Sequence, residues 1–200
     1  MSSVRGARAR GRPAAATREE VLEAAMHRYL RGQRIDVQAI AAELGLARAT
    51  IYRWFGSREE LIGEVLFLAA DPLLQEARRD AEKRGGSVVL NTFDGFNRSL
   101  ADAPALRRFV EAERDAAVRI ITSGAGTLQP RIVARIQEVI EAEIEAGRYR
   151  APVEPSTLAY AIVKLAEAFL FNDAAAGMRG DVDRLREVEA ALLGVPARGA

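Results

Sequence analysis

The chain has 200 residues, 49% of them hydrophobic, which suits one or two globular domains with an apolar core. It contains no cysteine and a single histidine, which excludes disulfides, thiolate metal sites and histidine clusters, so we expect neither a metal nor a cofactor. The net charge is +1, but residues 1–60 carry 11 Lys/Arg against 7 Asp/Glu while residues 61–200 carry 18 against 21, which favours a polyanionic partner for the first part.

A basic arm without predicted structure opens the chain. It has no acidic residue before Glu19, and its glycines, proline and alanines argue against a fold. Arg10 and Arg12 flank Gly11, a spacing that suits two guanidinium groups in a narrow A·T-rich minor groove. A solvated tail that only adds solubility is the alternative. The arm lacks the apolar stretch of a signal peptide, and no run approaches the roughly 18–20 apolar residues of a membrane span, so we expect a cytoplasmic protein.

The first three predicted helices form a helix-turn-helix unit. Thr17 and Glu20 make a capping box that starts the first helix, and Asp36 is the predicted N-cap of the second. Gly45 supplies the positive φ for a tight turn into the third helix, residues 47–55. Apolar residues on both sides of the turn fix the crossing of the last two helices, which leaves the outer face of the third free to enter a major groove. An ordinary helical hairpin is the alternative.

The rest of the chain is also predicted to be helical, because no alternating strand pattern of convincing length occurs. A fourth helix runs from Ser57 to about Ala70, where Asp71 and Pro72 are expected to begin another. Further helices are predicted at about 87–101, 104–123, 128–147, 155–176 and 181–193. The fold class is therefore all-α, with about nine helices.

The stretch TIYRWFGSREEL, residues 50–61, places a Tyr, a Phe, a turn, an Arg and a Leu in a characteristic order. With this motif, residues 17–66 resemble the DNA-binding head of the TetR family of bacterial repressors, over about a quarter of the chain. The resemblance implies the following division into parts: a flexible arm at 1–16, a helix-turn-helix domain at 17–60, and an effector-binding and dimerisation domain at 61–200.

The resemblance also implies roles for individual residues. Tyr52 would donate its hydroxyl to a phosphate, and Thr50 would contact a phosphate or a thymine methyl group. Arg48 would reach base edges, with guanine as its natural bidentate partner. Gln38 would read a base or touch a phosphate. Arg58, at the N-terminus of the fourth helix, would bind a phosphate with help from the exposed amides there.

Two residues of the third helix depart from the family's common pattern. Arg53 replaces a residue that is commonly aromatic and Trp54 one that is commonly Tyr or His, so the operator sequence cannot be transferred from a relative. Trp54 either donates its indole N–H to a phosphate or packs against the first helix. The predicted DNA-binding residues are Arg10, Arg12, Gln38, Arg48, Thr50, Tyr52, Arg53, Trp54 and Arg58.

Polar side chains at apolar helix positions predict an effector cavity. Asn97 and Glu113 fall among apolar residues, and Lys164 and Glu167 are the only charges in a long apolar stretch. Because burying unpaired charges is costly, these groups should be paired, solvated or face a cavity; a Lys164–Glu167 pair is the alternative. The predicted lining is Phe93, Phe96, Asn97, Phe109, Glu113, Tyr160, Lys164 and Glu167. Such walls suit a mid-sized lipophilic ligand such as a lactone, an acyl conjugate or an aromatic compound.

Residues 155–193 are predicted to form a homodimer interface, because the helices there are apolar on much of their circumference. The family usually dimerises through its last two helices; filling the monomer's own core is the alternative.

Specific DNA binding normally needs two half-sites about 34–36 Å apart. We therefore predict a dimeric repressor that a lipophilic effector releases from a palindromic double-stranded operator. The alternatives are a non-specific architectural DNA-binding protein and a helical enzyme. Activation remains open, because it depends on operator position.

Overall fold

The computed structural model describes residues 16–171 and 181–197, and these residues are mostly helical with short connections. The prediction of an all-α fold is confirmed. The helices of the described ranges are α1 (Arg18–Leu30), α2 (Val37–Glu43), α3 (Arg48–Phe55), α4 (Arg58–Arg84), α5 (Val88–Asp102), α6 (Pro104–Ala112), α7 (Arg114–Thr122), α8 (Leu128–Glu145), α9 (Pro155–Phe171) and α10 (Val182–Leu193).

Local sequence signals set the boundaries of the first helices. The Thr17 hydroxyl accepts a hydrogen bond from the backbone N–H of Glu20 at 3.2 Å, and the Thr17 N–H donates to the Glu20 carboxylate at 2.6 Å. The Asp36 carboxylate accepts from the N–H of Gln38 at 2.7 Å. Gly45 takes a φ of 64°, as the turn between α2 and α3 requires. These three predictions are confirmed.

The predicted break near Ala70 is wrong, because α4 continues through Pro72 for 27 residues. Proline removes one helical hydrogen bond, here the bond to the carbonyl of Leu68. Pro72 and Leu68 are both exposed, so the unbonded carbonyl lies on the solvent side, where water can replace the missing donor.

The predicted single helix over residues 104–123 is also wrong. It is divided into α6 and α7 at Glu113, whose φ of −133° and ψ of 47° are not helical. The end of α9 predicted at residue 176 lies outside the described residues, since the description stops at Phe171 and resumes at Asp181.

Two apolar clusters form the core, and α4 contributes to both of them. The first joins α1–α3 to the first half of α4 and to α6 and α7, with Ile40, Ile51 and Leu61 fully buried. The second joins the second half of α4 to α5 and α8–α10, around Phe93 and Leu158. The helix-turn-helix unit is therefore packed directly on the body, and α4 runs from one cluster into the other.

Candidate nucleic-acid interface and effector cavity

One face of α3 is buried in the apolar core, and its opposite face is exposed to solvent. Ile51 and Phe55, four residues apart, are 1% and 5% exposed in the first apolar cluster. Tyr52 is 42% exposed, and Arg48 and Arg53 are exposed on the same outer side of the molecule. The sequence folds this way because apolar residues recur at helical spacing on only one side of α3.

The remaining predicted residues of α3 are less open. Thr50 is half-buried, and Trp54 is half-buried with its ring packed against the first apolar cluster. No described side chain caps the N-terminus of α3, because Ala47 stands at the N-cap. The free amides there add a partial positive charge beside Arg48, which suits a phosphate.

Gln38 is exposed in the first turn of α2, which is compatible with its predicted contact. Arg10 and Arg12 lie outside the described residues. Arg58 makes its contacts within the protein, and its predicted phosphate contact stays a prediction. Its Nε donates to the carbonyl of Ile35 at 2.7 Å, and its Nη2 donates to both carboxylate oxygens of Glu113 at 2.6 and 2.7 Å.

The Arg58–Glu113 bridge explains why Glu113 does not line the predicted effector cavity. Its side chains are 22% and 15% exposed, so the pair is largely shielded between α4 and the α6–α7 junction. Glu113 points to the helix-turn-helix side of the body and away from the predicted cavity. The bridge is made at the position where α6 ends and α7 begins.

A cavity of about 280 Å³ lies in the body between the C-terminal end of α1 and helices α4, α5, α6, α8 and α9. Its walls are mainly apolar, with Leu66 and Leu73 from α4, Phe93 from α5, Ile132 from α8 and Ile162 from α9 among them. Four of the eight predicted effector residues line it: Phe93, Phe96, Asn97 and Glu167.

The structure does not place the other four predicted residues at the cavity. Phe109 is buried edge-on against Tyr29, with ring centroids 6.4 Å apart. Glu113 is engaged by Arg58, as described above. Tyr160 is 53% exposed on the outer side of α9. Lys164 approaches Glu167 from that outer side, with its Nζ 5.6 Å from the centre of the Tyr160 ring.

Most of the cavity lining could not be predicted from the sequence, and Tyr29, Leu30 and Gln129 are three residues of this unpredicted part. Tyr29 follows Val21 and Ala25 at helical spacing, so its inward orientation could be predicted from the sequence. The contact between the end of α1 and the body could not be predicted in this way. Burial raises the pKa of Tyr29 to about 12, which keeps its hydroxyl protonated at neutral pH. The signal for Gln129 was weaker, since a single amide beside a helix start has many ordinary explanations.

A polar cluster closes one end of the cavity. Gln129 Nε2 donates to Glu167 Oε1 at 2.6 Å and to the carbonyl of Thr122 at 2.9 Å. Lys164 Nζ donates to Glu167 Oε2 at 2.9 Å and to the same carbonyl at 3.2 Å. The alternative of a Lys164–Glu167 pair is therefore realised, with its negative end on the cavity wall.

A second buried carboxyl lies behind the cavity wall. Glu189 on α10 is fully buried, and its Oε1 accepts from Asn97 Nδ2 at 2.9 Å. Its Oε2 has no partner among the described residues. Burial raises the pKa of Glu189 to about 8 and outweighs the opposing effect of the Asn97 hydrogen bond, so the group is mainly neutral at pH 7.

This pKa predicts a pH-dependent stability. The folded protein keeps the Glu189 proton between pH 4.5 and about 8, whereas the unfolded chain releases it, so stability falls as the pH rises through this window. We expect Glu189→Gln, which stays neutral, to be more stable than the wild type at pH 9, by on the order of 5 kcal/mol, and equal to it near pH 4. Urea denaturation across this pH range measures the effect. Glu187→Gln, at an exposed position of the same helix, is the control; parallel curves for both variants would contradict the prediction.

Within residues 16–171 and 181–197, no three His, Asp or Glu side chains are grouped as a metal ion would require. None of the helices described there is long and apolar enough to cross a membrane.

Two family profiles match this chain. The profile described as "Bacterial regulatory proteins, tetR family" matches residues 33–65, which contain α2 and α3. The profile described as "Tetracyclin repressor-like, C-terminal domain" matches residues 84–194, more than half of the chain. No curated protein matches the chain in sequence.

Solved structures share the fold over nearly the full length. The TetR-family transcriptional repressor QsdR of R. erythropolis has a TM-score of 0.80 at 25% identity, with 92% of this chain and 96% of that chain covered. AlkX, a TetR-family repressor from Dietzia sp., has a TM-score of 0.54 at 22% identity, covering 89% and 97%. The likeness to AlkX shows the fold alone.

Proposed function

The chain belongs to the TetR family of bacterial regulatory proteins, and from this premise we propose that it is a homodimeric repressor that a small lipophilic effector releases from a palindromic operator. Members of this family are DNA-binding regulators of transcription and not enzymes, which removes the helical-enzyme alternative. Repression is favoured over activation by the likeness to the repressor QsdR along nearly the whole chain. Because the proposed partner is the bacterial chromosome, the proposal includes a cytoplasmic location.

The observation that carries the proposal is the outer face of α3. Arg48, Tyr52 and Arg53 are exposed there, while Ile51 and Phe55 anchor the helix in the core. A rigid helix that presents two guanidinium groups and a phenol suits the width of a major groove, with base edges and phosphates within reach of these groups.

The dimer is proposed to form through the outer faces of α9 and α10. Tyr160 and Val188 are 53% and 41% exposed, and Leu165 and Phe169 are only half-buried. Leu158, by contrast, is fully buried in the protomer's own core. One side of α9 thus fills the monomer, and its other side offers apolar surface to a second copy.

Effector binding is proposed to act through α1 and α4. Both helices supply cavity walls, with Tyr29 and Leu30 from the end of α1 and Leu66 and Ala69 from α4. A ligand releases DNA only if it binds more tightly to the conformation in which the two heads are spaced wrongly for successive major grooves.

The proposal is tested by selecting genomic fragments of the source organism that the full-length protein retains in the presence of excess competitor DNA. We expect a few fragments with inverted repeats, bound by a particle of twice the monomer mass, with an affinity at least about 10³ times that for bulk DNA. A monomer that still binds such a site tightly would contradict the dimer. The architectural alternative predicts instead that no fragment is enriched.

A further inference from the structure

We propose that the effector is an uncharged amphiphile whose head group donates a hydrogen bond to Glu167, and that Glu167 makes the cavity reject carboxylates of the same length. This inference rests on the proposed function, because it concerns the ligand of the same cavity.

Glu167 is the one charged side chain among the described residues that line the cavity. It is 6% exposed, and the walls around it are mainly apolar, with Ile162, Val163 and Leu170 on the same helix. A carboxylate in such surroundings repels a second anion strongly, because little water is present to screen the two charges.

The partner of Glu167 does not cancel this effect on the cavity side. Lys164 binds Glu167 Oε2 at 2.9 Å, but it does not line the cavity, and its side chain is 34% exposed on the outer side. The ion pair is neutral as a whole, yet its negative end faces the ligand. A head group at this wall therefore meets the carboxylate and not the ammonium.

The hydrogen-bonding capacity of this wall also favours an uncharged head group that donates a hydrogen bond. Both amide hydrogens of Gln129 have acceptors in place, Glu167 Oε1 and the carbonyl of Thr122, which leaves only its carbonyl oxygen for a ligand. Glu167 accepts one bond at each oxygen, and a carboxylate has about four acceptor sites. The wall thus presents acceptors and selects a donor, such as an alcohol or an amide N–H.

The volume sets the size of the ligand. A cavity of about 150 Å³ accommodates benzene, so the 280 Å³ found here corresponds to roughly ten to twelve non-hydrogen atoms. Three probes of that size differ only in the head group: decan-1-ol donates a hydrogen bond, decan-2-one only accepts one, and decanoate is an anion.

The dissociation constant of each probe is measured directly at neutral pH by isothermal titration calorimetry. For the wild-type protein we expect decan-1-ol to bind at least tenfold more tightly than decanoate, with decan-2-one in between. Equal or tighter binding of decanoate would overturn the inference, and this series alone decides it if a variant fails to fold.

Glu167→Gln removes the charge and keeps the shape of the side chain. We expect the decanoate-to-decanol ratio of dissociation constants to fall at least fivefold, mainly because decanoate binds more tightly. Glu143→Gln is the matched control, since Glu143 is 1% exposed, is held by Arg148 and lies outside the cavity. A ratio that is unchanged in Glu167→Gln, or that changes equally in the control, would also overturn the inference.

Ala166→Phe separates this inference from the proposed function. Ala166 lines the cavity, so the larger ring should abolish binding of all three probes, whereas Ala134→Phe on the exposed side of α8 should not. If binding is sensitive to Ala166→Phe but indifferent to the head group, only the selectivity fails. If no probe binds, or if Ala166→Phe has no effect, both the effector cavity and its selectivity are rejected.

Discussion

Arg48→Ala is expected to lose most sequence-specific DNA binding while keeping its fold. Arg48 is exposed at the first turn of α3, so its removal costs little stability. A bidentate contact to a base contributes about 1–3 kcal/mol, and a dimer makes it in both half-sites. The expected loss is therefore roughly 2–6 kcal/mol, or about thirtyfold to 10⁴-fold in affinity. Fluorescence anisotropy with the selected operator measures it.

The control for this prediction is Arg79→Ala, which removes the same charge from an exposed position of α4. It should weaken binding only slightly, through the general electrostatic attraction to DNA. Arg48→Ala should also reduce the difference between operator and bulk DNA, because a lost base contact affects only the specific site. Equal losses in the two variants would show that Arg48 does not read bases.

Arg58→Met is expected to destabilise the fold strongly. It leaves the Glu113 carboxylate, whose side chain is 15% exposed, without the guanidinium nitrogen that donates to both of its oxygens, and it removes the donor to the carbonyl of Ile35. Breaking a fully buried pair costs about 3–5 kcal/mol, and partial exposure reduces this to roughly 2–4 kcal/mol here. Urea denaturation at constant protein concentration, followed by fluorescence of the single Trp54, reports the loss.

A double-mutant cycle assigns this loss to the bridge. Arg58→Met/Glu113→Leu should be less destabilised than the sum of the two single variants, because the double variant leaves no buried charge unpaired. The exposed pair Arg119–Glu59, at 3.0 Å, also joins α7 to α4 and provides the control. Arg119→Met should cost less than about 1 kcal/mol. Strict additivity in the cycle would show that the bridge does not stabilise the junction.

The bridge also bears on the phosphate contact predicted for Arg58. In the described conformation its guanidinium donates to the carbonyl of Ile35 in the head and to Glu113 in the body. The phosphate contact stays a prediction. We expect a phosphate to compete with Glu113 for this guanidinium, which would link the docking of the head on the body to the state of the operator.

The helix-turn-helix could be predicted from the sequence because its signals are local. The Thr17 hydroxyl, three residues before Glu20, caps the start of α1, and Asp36 caps the start of α2. Gly45 adopts the positive φ of the turn between α2 and α3. In each case the stabilising contact lies within one helical turn of the residue that signals it, so reading along the chain is sufficient.

The body was predicted less completely because its contacts are remote in sequence. Periodicity showed that Glu113 falls among apolar residues, but not that Arg58, 55 residues earlier, would bind it or that the helix would be interrupted at this position. Periodicity likewise grouped Tyr160 and Lys164 with Glu167, although only Glu167 lines the cavity. A pattern identifies the face of a helix, whereas the neighbour that covers this face is decided by tertiary packing.

Pro72 removes one hydrogen bond from α4 between Ala70 and Leu73, two of the residues through which this helix meets the cavity. From Pro72 to Arg58 the helix measures roughly 21 Å at 1.5 Å per residue, so a tilt of about 10° at the proline would carry the N-terminal end of α4, next to α3, by roughly 3.6 Å. Two protomers tilting in opposite senses would change the separation of their α3 helices by about twice that distance, a sizeable error against a helical repeat of about 34 Å. Because the first half of α4 is packed in the first apolar cluster, the helices of that cluster would have to move with it, and the two α3 helices would then no longer match successive major grooves.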